Sequence, residues 1–369
     1  MDAKNNFDGW KEVPAEIIWL IMEKLHLIDN IRLAAVCKDW RHACMALPTK
    51  LNHRSDAVPW ILMMNRSVTS SDDHLKFIRV STPTVLNIPI DNRFHHQSDT
   101  PLCSKKGWLL VEKDLNSLFL LNPITKEKIS LPEIAVLNRC TFSVVDGRPK
   151  FVLLANLYRR GDQEKVLILR RWRPGDNSWT IIGHFSTNLH FNKSRLTLCV
   201  AGESIYCVDE TGWVIIYDMK RMDWVKKGME IPSNYDENIR LMTKIAEYDD
   251  KEIRRLDISC CDLLTNVTKR KYIMDFTLYR LNEEKMQWEI LSETDIKDTS
   301  WCIGCTLSPV LAKGEPRIYI VRYGHLYFSD IRKPTQRGAP MRHLFTRRNN
   351  PIPHHYSGCK NNQHVWFDV

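Results

Sequence analysis

Few residues of this 369-residue chain have the type and spacing that chemistry needs. Cys302-Ile303-Gly304-Cys305 is a C-x-x-C, half of a zinc site or a redox pair. A zinc centre needs two further ligands, and Cys260-Cys261 or His354, His355 and Cys359 are the candidates. The motif stands alone, so it reads as a pair of buried thiols, with no metal and no cofactor. The chain has no phosphate-binding glycine loop, no His-Glu-x-x-His helix and no Gly-x-Ser-x-Gly elbow. Its carboxylate pairs are plentiful and none is singled out by spacing. Asn65, Asn192 and Asn266 open glycosylation sequons, read as chance matches because the polar stretch Met1 to Trp10 is no secretory signal. The expectation is a protein without a catalytic residue, not an enzyme.

Three basic clusters remain: Arg170-Arg171-x-Arg173, Lys269-Arg270-Lys271 and Arg347-Arg348. They read mostly as solvated turns and strand ends. The last, with Arg342, is the one suited to an acidic partner or to nuclear import.

Composition bounds the class. At 43% hydrophobic and 26% charged residues the chain is an ordinary globular protein. No apolar run approaches the roughly 18 residues that cross a bilayer. The 11 cysteines are an odd number at irregular spacing and read as reduced thiols in the cytoplasm or nucleus. Net charge is +9, unevenly spread: residues 1–50 hold 7 basic and 7 acidic side chains, whereas residues 320–369 hold 8 Lys/Arg and 2 acids. A neutral head and a basic tail do not make a nucleic-acid coat.

The elements that hold these residues change period along the chain. Residues 10–47 read as three short helices: one from Pro14 carrying Ile17, Ile21 and Leu25, one capped by Asp29, and one carrying Trp40, Ala43 and Cys44. About 40 residues is little for a core of its own. The surplus apolar surface must pack on the rest of the chain or on another protein. After residue 60 the period is alternating. The clearest hairpins are Thr141–Val145 with Lys150–Leu154 around Asp146-Gly147, and Ser204–Val208 with Trp213–Tyr217. An apolar strand, a polar turn and a strand opening near Trp recur at Trp179, Trp224 and Trp288. That period predicts a β-propeller of six or seven blades, with the Trp side chains as wedges between blades and the charged stretch 233–255 as a loop or insertion.

The residues of the head resemble the F-box. Trp10, Val13-Pro14-Ala15-Glu16-Ile17-Ile18, Ile21, Leu25, Asp29, Arg32, Leu33, Val36-Cys37-Lys38 and Trp40-Arg41 follow that family's spacing over residues 9–48, with Val13 in place of the usual Leu. The resemblance implies docking onto the Skp-family adaptor of a cullin-RING ubiquitin ligase. The implied contacts are Pro14, Ile17, Ile18, Leu25, Leu33, Val36, Cys37 and Trp40, with Asp29 and Arg32 bracing the helices.

The body resembles the KIB-like β-propeller of plant F-box proteins. Cys103…Gly107-Trp108-Leu109-Leu110, Leu121-Asn122-Pro123-Ile124-Thr125…Leu131-Pro132 and Gly202-Glu203-Ser204-Ile205-Tyr206 carry that likeness. Ile318-Tyr319 and Leu326-Tyr327-Phe328 compete for the family's last strand. The expected organisation is an F-box at 1–50, a linker with first strands at 51–95 and the propeller at 96–369. The implied function is a substrate-recognition subunit that holds a target protein through the propeller, with no membrane partner. Two other classes stay open: a propeller interaction protein with a vestigial or adaptor-only F-box, and a nucleic-acid-binding propeller using the basic tail.

Overall fold

The computed structural model of the chain describes residues 13–22, 25, 33, 36–45, 60–64, 74–78, 80, 85–89, 99–113, 117–134, 139–160, 164–187, 196–209, 212–227, 241–262, 272–304, 309–322, 325–343 and 363–367. A few helical turns at the N-terminus are followed by an all-β domain. Helix α1 spans Ala15–Met22 and α2 spans Lys38–Met45. The Pro14 carbonyl starts α1 by accepting from the Ile17 and Ile18 amides at 3.0 and 3.3 Å. Cys37 does the same for α2: its carbonyl accepts from Arg41 N at 3.0 Å and its sulfur from Trp40 N at 3.4 Å. A thiol thus fills the role that a capping hydroxyl usually takes. Trp19 Nε1 donates to the Ala43 carbonyl at 2.8 Å and ties the two helices together. The helix expected after Asp29 lies almost wholly outside the described residues, as do Asp29 and Arg32 themselves.

Among the described residues the strands form six sheets. The first runs Gln363–Phe367, Trp60–Met64, His74–Ile78, Val85–Pro89, from the innermost strand outward. The second is Thr100–Lys105, Trp108–Lys113, Ser117–Asn122, Glu127–Ser130; the third is Arg139–Val145, Arg148–Arg160, Glu164–Trp172, Thr180–Thr187. The fourth is Thr197–Ala201, Ser204–Val208, Val214–Asp218, Asp223–Lys227. The fifth is Leu241–Tyr248, Glu252–Asp262, Tyr272–Asn282, Gln287–Ile290, with Thr335–Pro340 pairing beside Tyr272–Asn282. The sixth is Val310–Lys313, Thr299–Ile303, Arg317–Arg322, His325–Asp330, Arg342–His343. Innermost strands of successive sheets touch in that order around a central axis.

Apolar clusters fill the space between neighbouring sheets, as the alternation of inward residues requires. Leu109, Val111 and Phe119 of the second sheet pack on Trp60, Leu62 and Phe77 of the first. Cys302, Tyr319 and Leu326 of the sixth pack on Ile61 and Trp366. The ring is closed by the last described strand, whose Phe367, Trp366 and Val365 pair antiparallel with Trp60, Ile61 and Leu62. Pairing the two ends of the domain in one sheet removes two free edges.

The strands correct the expected blade number and the reading of the stretch 233–255. Five of the sheets are antiparallel throughout, whereas the sixth contains a parallel pair, Thr299–Ile303 with Arg317–Arg322. The described chain therefore has five regular blades and one irregular sheet, where the repeat period predicts six or seven blades. Ile318-Tyr319 and Leu326-Tyr327-Phe328 both form strands, and Tyr319 pairs with Phe328 in the adjacent one. The charged stretch 233–255 is no insertion where it is described: Leu241–Tyr248 and Glu252–Asp262 are the two inner strands of the fifth sheet. Two of its cations mislead because they are buried and paired, Arg254 with Glu252 at 2.5 Å and Arg255 with Asp257 at 2.8 Å. The repeated Trp residues mark the outer edge of their sheets: Trp224 and Trp288 sit in outermost strands, and Trp179 just precedes one.

Those Trp side chains do wedge between sheets. Trp179 Nε1 donates to Pro132 O at 2.9 Å, Trp224 Nε1 to His184 O at 3.2 Å and Trp288 Nε1 to Gly212 O at 3.0 Å, each acceptor belonging to the preceding sheet or the segment that leaves it. The polar turn of the repeat has a common construction. Asn122, Asp218 and Asn282 end the third strand, and the side-chain oxygen of each accepts a backbone N–H two or three residues on. Four residues after each, Lys126, Met222 and Met286 adopt positive φ of 63, 56 and 52°.

Candidate functional site

The head divides the residues expected at the adaptor into two groups. Ile18 and Trp40 are 1% and 6% exposed and form its core with Ala43; Leu33 and Cys37 pack beside them, half-buried. Pro14, Ile17 (46%) and Val36 (61%) face outward, and Leu25 is half-buried. A residue outside the expected set joins them: Leu20, 54% exposed, one turn along α1 from Ile17. The i, i+3 spacing of Ile17 and Leu20 was its signal in the sequence.

On the β-domain, the turns after the innermost strands of the second to fifth sheets meet on one face. They are tight because Lys106-Gly107, Asp146-Gly147 and Asp249-Asp250 each place two consecutive residues at positive φ. At Asp146-Gly147, with φ of 51 and 72°, this is the hairpin turn that the dipeptide demands. These turns surround a cavity of about 420 Å³, within the range of ligand pockets. Six basic side chains line it: Lys105, Lys106, Lys150, Arg171, Arg173 and Lys220. Three carboxylates, Asp146, Glu203 and Asp250, share the lining.

Ion pairs hold half of the cations. Lys105 meets Glu247 at 2.5 Å, Lys106 meets Asp250 at 2.6 Å and Lys220 meets Glu203 at 2.6 Å. Burial pulls the Lys105 ammonium down, and the Glu247 carboxylate outweighs it, leaving its pKa above the ordinary lysine value. Burial pushes Asp250 up, and the hydrogen bond and charge of Lys106 more than reverse that, leaving it below the usual carboxylate range. Of the arginine cluster, Arg170 points away and donates to Asn156 Oδ1 at 2.7 Å, whereas Arg171 and Arg173 line the cavity. Burial and then the charge of Arg173 lower the pKa of Arg171.

The thiols are placed for packing. Burial drives Cys199 and Cys207 well above the ordinary thiol value, and a hydrogen bond with Cys103, followed by burial, does so for Cys140. Cys302 is buried. Among the described residues no three His, Cys, Asp or Glu side chains gather to hold a metal. Cys305, His354, His355 and Cys359, the side chains of Cys260 and Cys261, and the three sequon asparagines lie outside the described residues. Arg342 pairs with Asp330 at 3.6 Å, while Lys269-Arg270-Lys271 and Arg347-Arg348 lie outside them. No helix among the described residues is long and apolar enough to cross a membrane.

Residues 75–357 match the family model of the KIB1-4 beta-propeller. The chain belongs to that family. Residues 10–52 match the F-box domain, so the α1–α2 head is an F-box and the sheets are a KIB1-4 propeller. Among curated proteins the F-box/KIB1-4 chain is similar to the F-box/kelch-repeat protein At3g18720 of Arabidopsis thaliana, 26% identical over 242 residues, 58% of this chain and 55% of the relative. The F-box/kelch-repeat protein At1g57790 of the same plant is 23% identical over 220 residues, 58% of each chain. The F-box protein At3g56470, also of that plant, is 24% identical over 226 residues, 60% of this chain and 57% of the relative. The chain spans a little over half the length of these relatives.

Proposed function

We propose that this protein is a substrate-recognition subunit of an SCF-type ubiquitin ligase. The F-box head docks on a Skp-family adaptor, and through it on a cullin, while the KIB1-4 propeller holds a target protein. The observation that carries this reading is the joint presence of an F-box, with apolar residues turned outward on its first helix, and a propeller with a charged cavity on one face. The head contributes Pro14, Ile17, Leu25 and Val36, with Leu20, to the adaptor interface. Ile18, Leu33, Cys37 and Trp40 give that surface its shape from beneath. Exposed Ile, Leu and Val side chains grouped on a small helical unit suit an amphipathic docking mode.

The chain itself is non-catalytic in this reading. Tethering raises the local concentration of a target lysine beside the charged ubiquitin carrier, and the bond-making groups belong to other subunits. Its place is the cytoplasm or nucleus, where reduced thiols persist. Co-purification of the full chain with a plant Skp-type adaptor tests the docking step, and ubiquitination of a co-purifying protein tests the ligase step. Failure of Ile17→Asp with Val36→Asp to weaken adaptor binding in a folded chain overturns the interface. Adaptor binding without ubiquitination of any captured protein favours a non-ligase propeller instead.

A further inference from the structure

The cavity face carries a charge imbalance that its ion pairs leave over. Lys105, Lys106 and Lys220 are matched by Glu247, Asp250 and Glu203. Lys150, Arg171 and Arg173 line the same cavity, and none of them is in an ion pair among the described residues. Arg171 lies at the end of strand Glu164–Trp172 and Arg173 two residues on, so the pleat turns both to one side while Arg170 faces Asn156. Two guanidinium groups held together, one of them half-buried, repel each other and lose hydration, and the Asp176 carboxylate, which accepts from the Arg173 amide at 2.9 Å, offsets only part of this. A folded protein tolerates such an arrangement best where an anion completes it.

The shape of the anion follows from the rest of the lining. Glu203 and Asp250 sit around the same cavity and repel an extended polyanion, but they leave room for one compact charge between the arginines. Phe151 is the one aromatic side chain of the lining and is 5% exposed, so no ring is presented for bases to stack on. Val145, which is 46% exposed, and Met219 add apolar surface beside the cations, as a peptide side chain needs. Two planar guanidinium forks match the terminal oxygens of a phosphate monoester, whose charge of about −1.5 to −2 suits the excess that Lys150, Arg171 and Arg173 leave over Asp146.

We propose that this cavity is the target-binding site of the propeller and that it takes a single phosphorylated side chain on an extended segment of the target protein. Arg171 and Arg173 grip the phosphate oxygens, and Lys150 adds charge from the neighbouring turn. The inference rests on the reading of the propeller as the target-holding domain.

The test uses the full chain bound to its adaptor and a bead-bound peptide library with one fixed phosphoserine among degenerate neighbours. Matched libraries carry serine or glutamate at that position. The expected result is at least ten-fold greater retention on the phosphoserine beads than on the serine beads, with inorganic phosphate competing. Arg171→Ala with Arg173→Ala removes that preference, whereas Arg170→Ala keeps it. Arg171→Lys with Arg173→Lys retains charge but loses the paired forks, and it recovers only part of the preference. Lys150→Glu and Arg173→Glu change exposed side chains and decide the matter if the double variants fold poorly. Equal retention on serine and phosphoserine beads, or a preference unchanged in the folded variants, overturns the proposal. So does stronger retention on single-stranded RNA. Adaptor binding is scored in every sample, so absence of a phosphoserine preference in the unaltered chain with the adaptor retained sinks the cavity assignment and leaves the ligase reading standing.

Discussion

Lys105 ends the innermost strand of the second sheet, and its ammonium lies 2.5 Å from the carboxylate of Glu247 on the innermost strand of the fifth. The innermost strands of the third and fourth sheets stand between them in the ring, so the pair joins sheets that are not neighbours and spans the axis. Both side chains are largely withdrawn from water, at 17% and 16% exposure. The Glu247 carboxylate also accepts from the Val200 amide at 3.3 Å, which brings the fourth sheet into the same contact.

Breaking one partner leaves the other charge uncompensated. Lys105→Met or Glu247→Gln is expected to destabilise the propeller by about 3–5 kcal/mol. Lys105→Met combined with Glu247→Leu is expected to recover much of that loss. Urea unfolding followed by Trp fluorescence measures all three; equal losses in the single and double variants contradict the pairing.

Stability is expected to fall at both ends of the pH scale. Asp250 and Asp295 have folded pKa values below the ordinary one, Asp250 through Lys106 against the opposing effect of burial, and Asp295 chiefly through its hydrogen bond from Ser292. The unfolded chain therefore takes up protons first, and this stability is present above about pH 4 and lost as pH falls through the folded values. Lys105, Tyr206, Tyr279 and Tyr319 are raised in the folded chain: Lys105 by Glu247 against burial, the tyrosines chiefly by burial. Their contribution is present below about pH 10 and lost as pH rises beyond it. Urea midpoints at pH 3, 7 and 11 measure both limbs, and Asp250→Asn should flatten the acid one.

Gly212 and Trp288 offer a separate test of the seam between the fourth and fifth sheets. Trp288→Phe removes the 3.0 Å hydrogen bond to the Gly212 carbonyl at an expected cost of about 1 kcal/mol. Gly212→Ala is expected to cost more, because its φ is +97° and an added methyl carbon would stand 2.0 Å from an Arg255 guanidinium nitrogen. A neutral outcome for Gly212→Ala in thermal melts would show that this turn does not seat Arg255.

In the head, burial separates folding from docking. Trp40→Ala empties the small core that it shares with Ile18 and Ala43, with an expected cost of about 3–5 kcal/mol, enough to unfold a unit this small. Ile17→Asp and Leu20→Asp alter exposed positions and should leave the helical circular dichroism unchanged while weakening adaptor capture at least ten-fold. Loss of helicity in the Ile17 variant would place that side chain in the core instead.

The sequence was most legible where structure is local. Asp146-Gly147 announces its turn because two consecutive positive φ angles need those residue types. Pro14 starts α1, and the spaced Trp residues mark a repeated unit, because each signal spans only a few residues. It was least legible where burial reverses the usual meaning of a residue. Arg254 and Arg255 look like solvent-facing charge, yet both are buried in the fifth sheet against Glu252 and Asp257.

By itself, then, the sequence determined an F-box followed by an alternating, Trp-marked β-domain, since spacing and period are written along the chain. Only the tertiary structure decided which side of each element matters. It turned Ile17 outward and Ile18 inward, although both are isoleucines one residue apart. It likewise sent Arg171 and Arg173 to the cavity and Arg170 to Asn156. The physical reason is that facing depends on what packs opposite. Such neighbours can come from far along the chain: Gly147 meets Trp108 from 39 positions away and Asp250 meets Lys106 from 144.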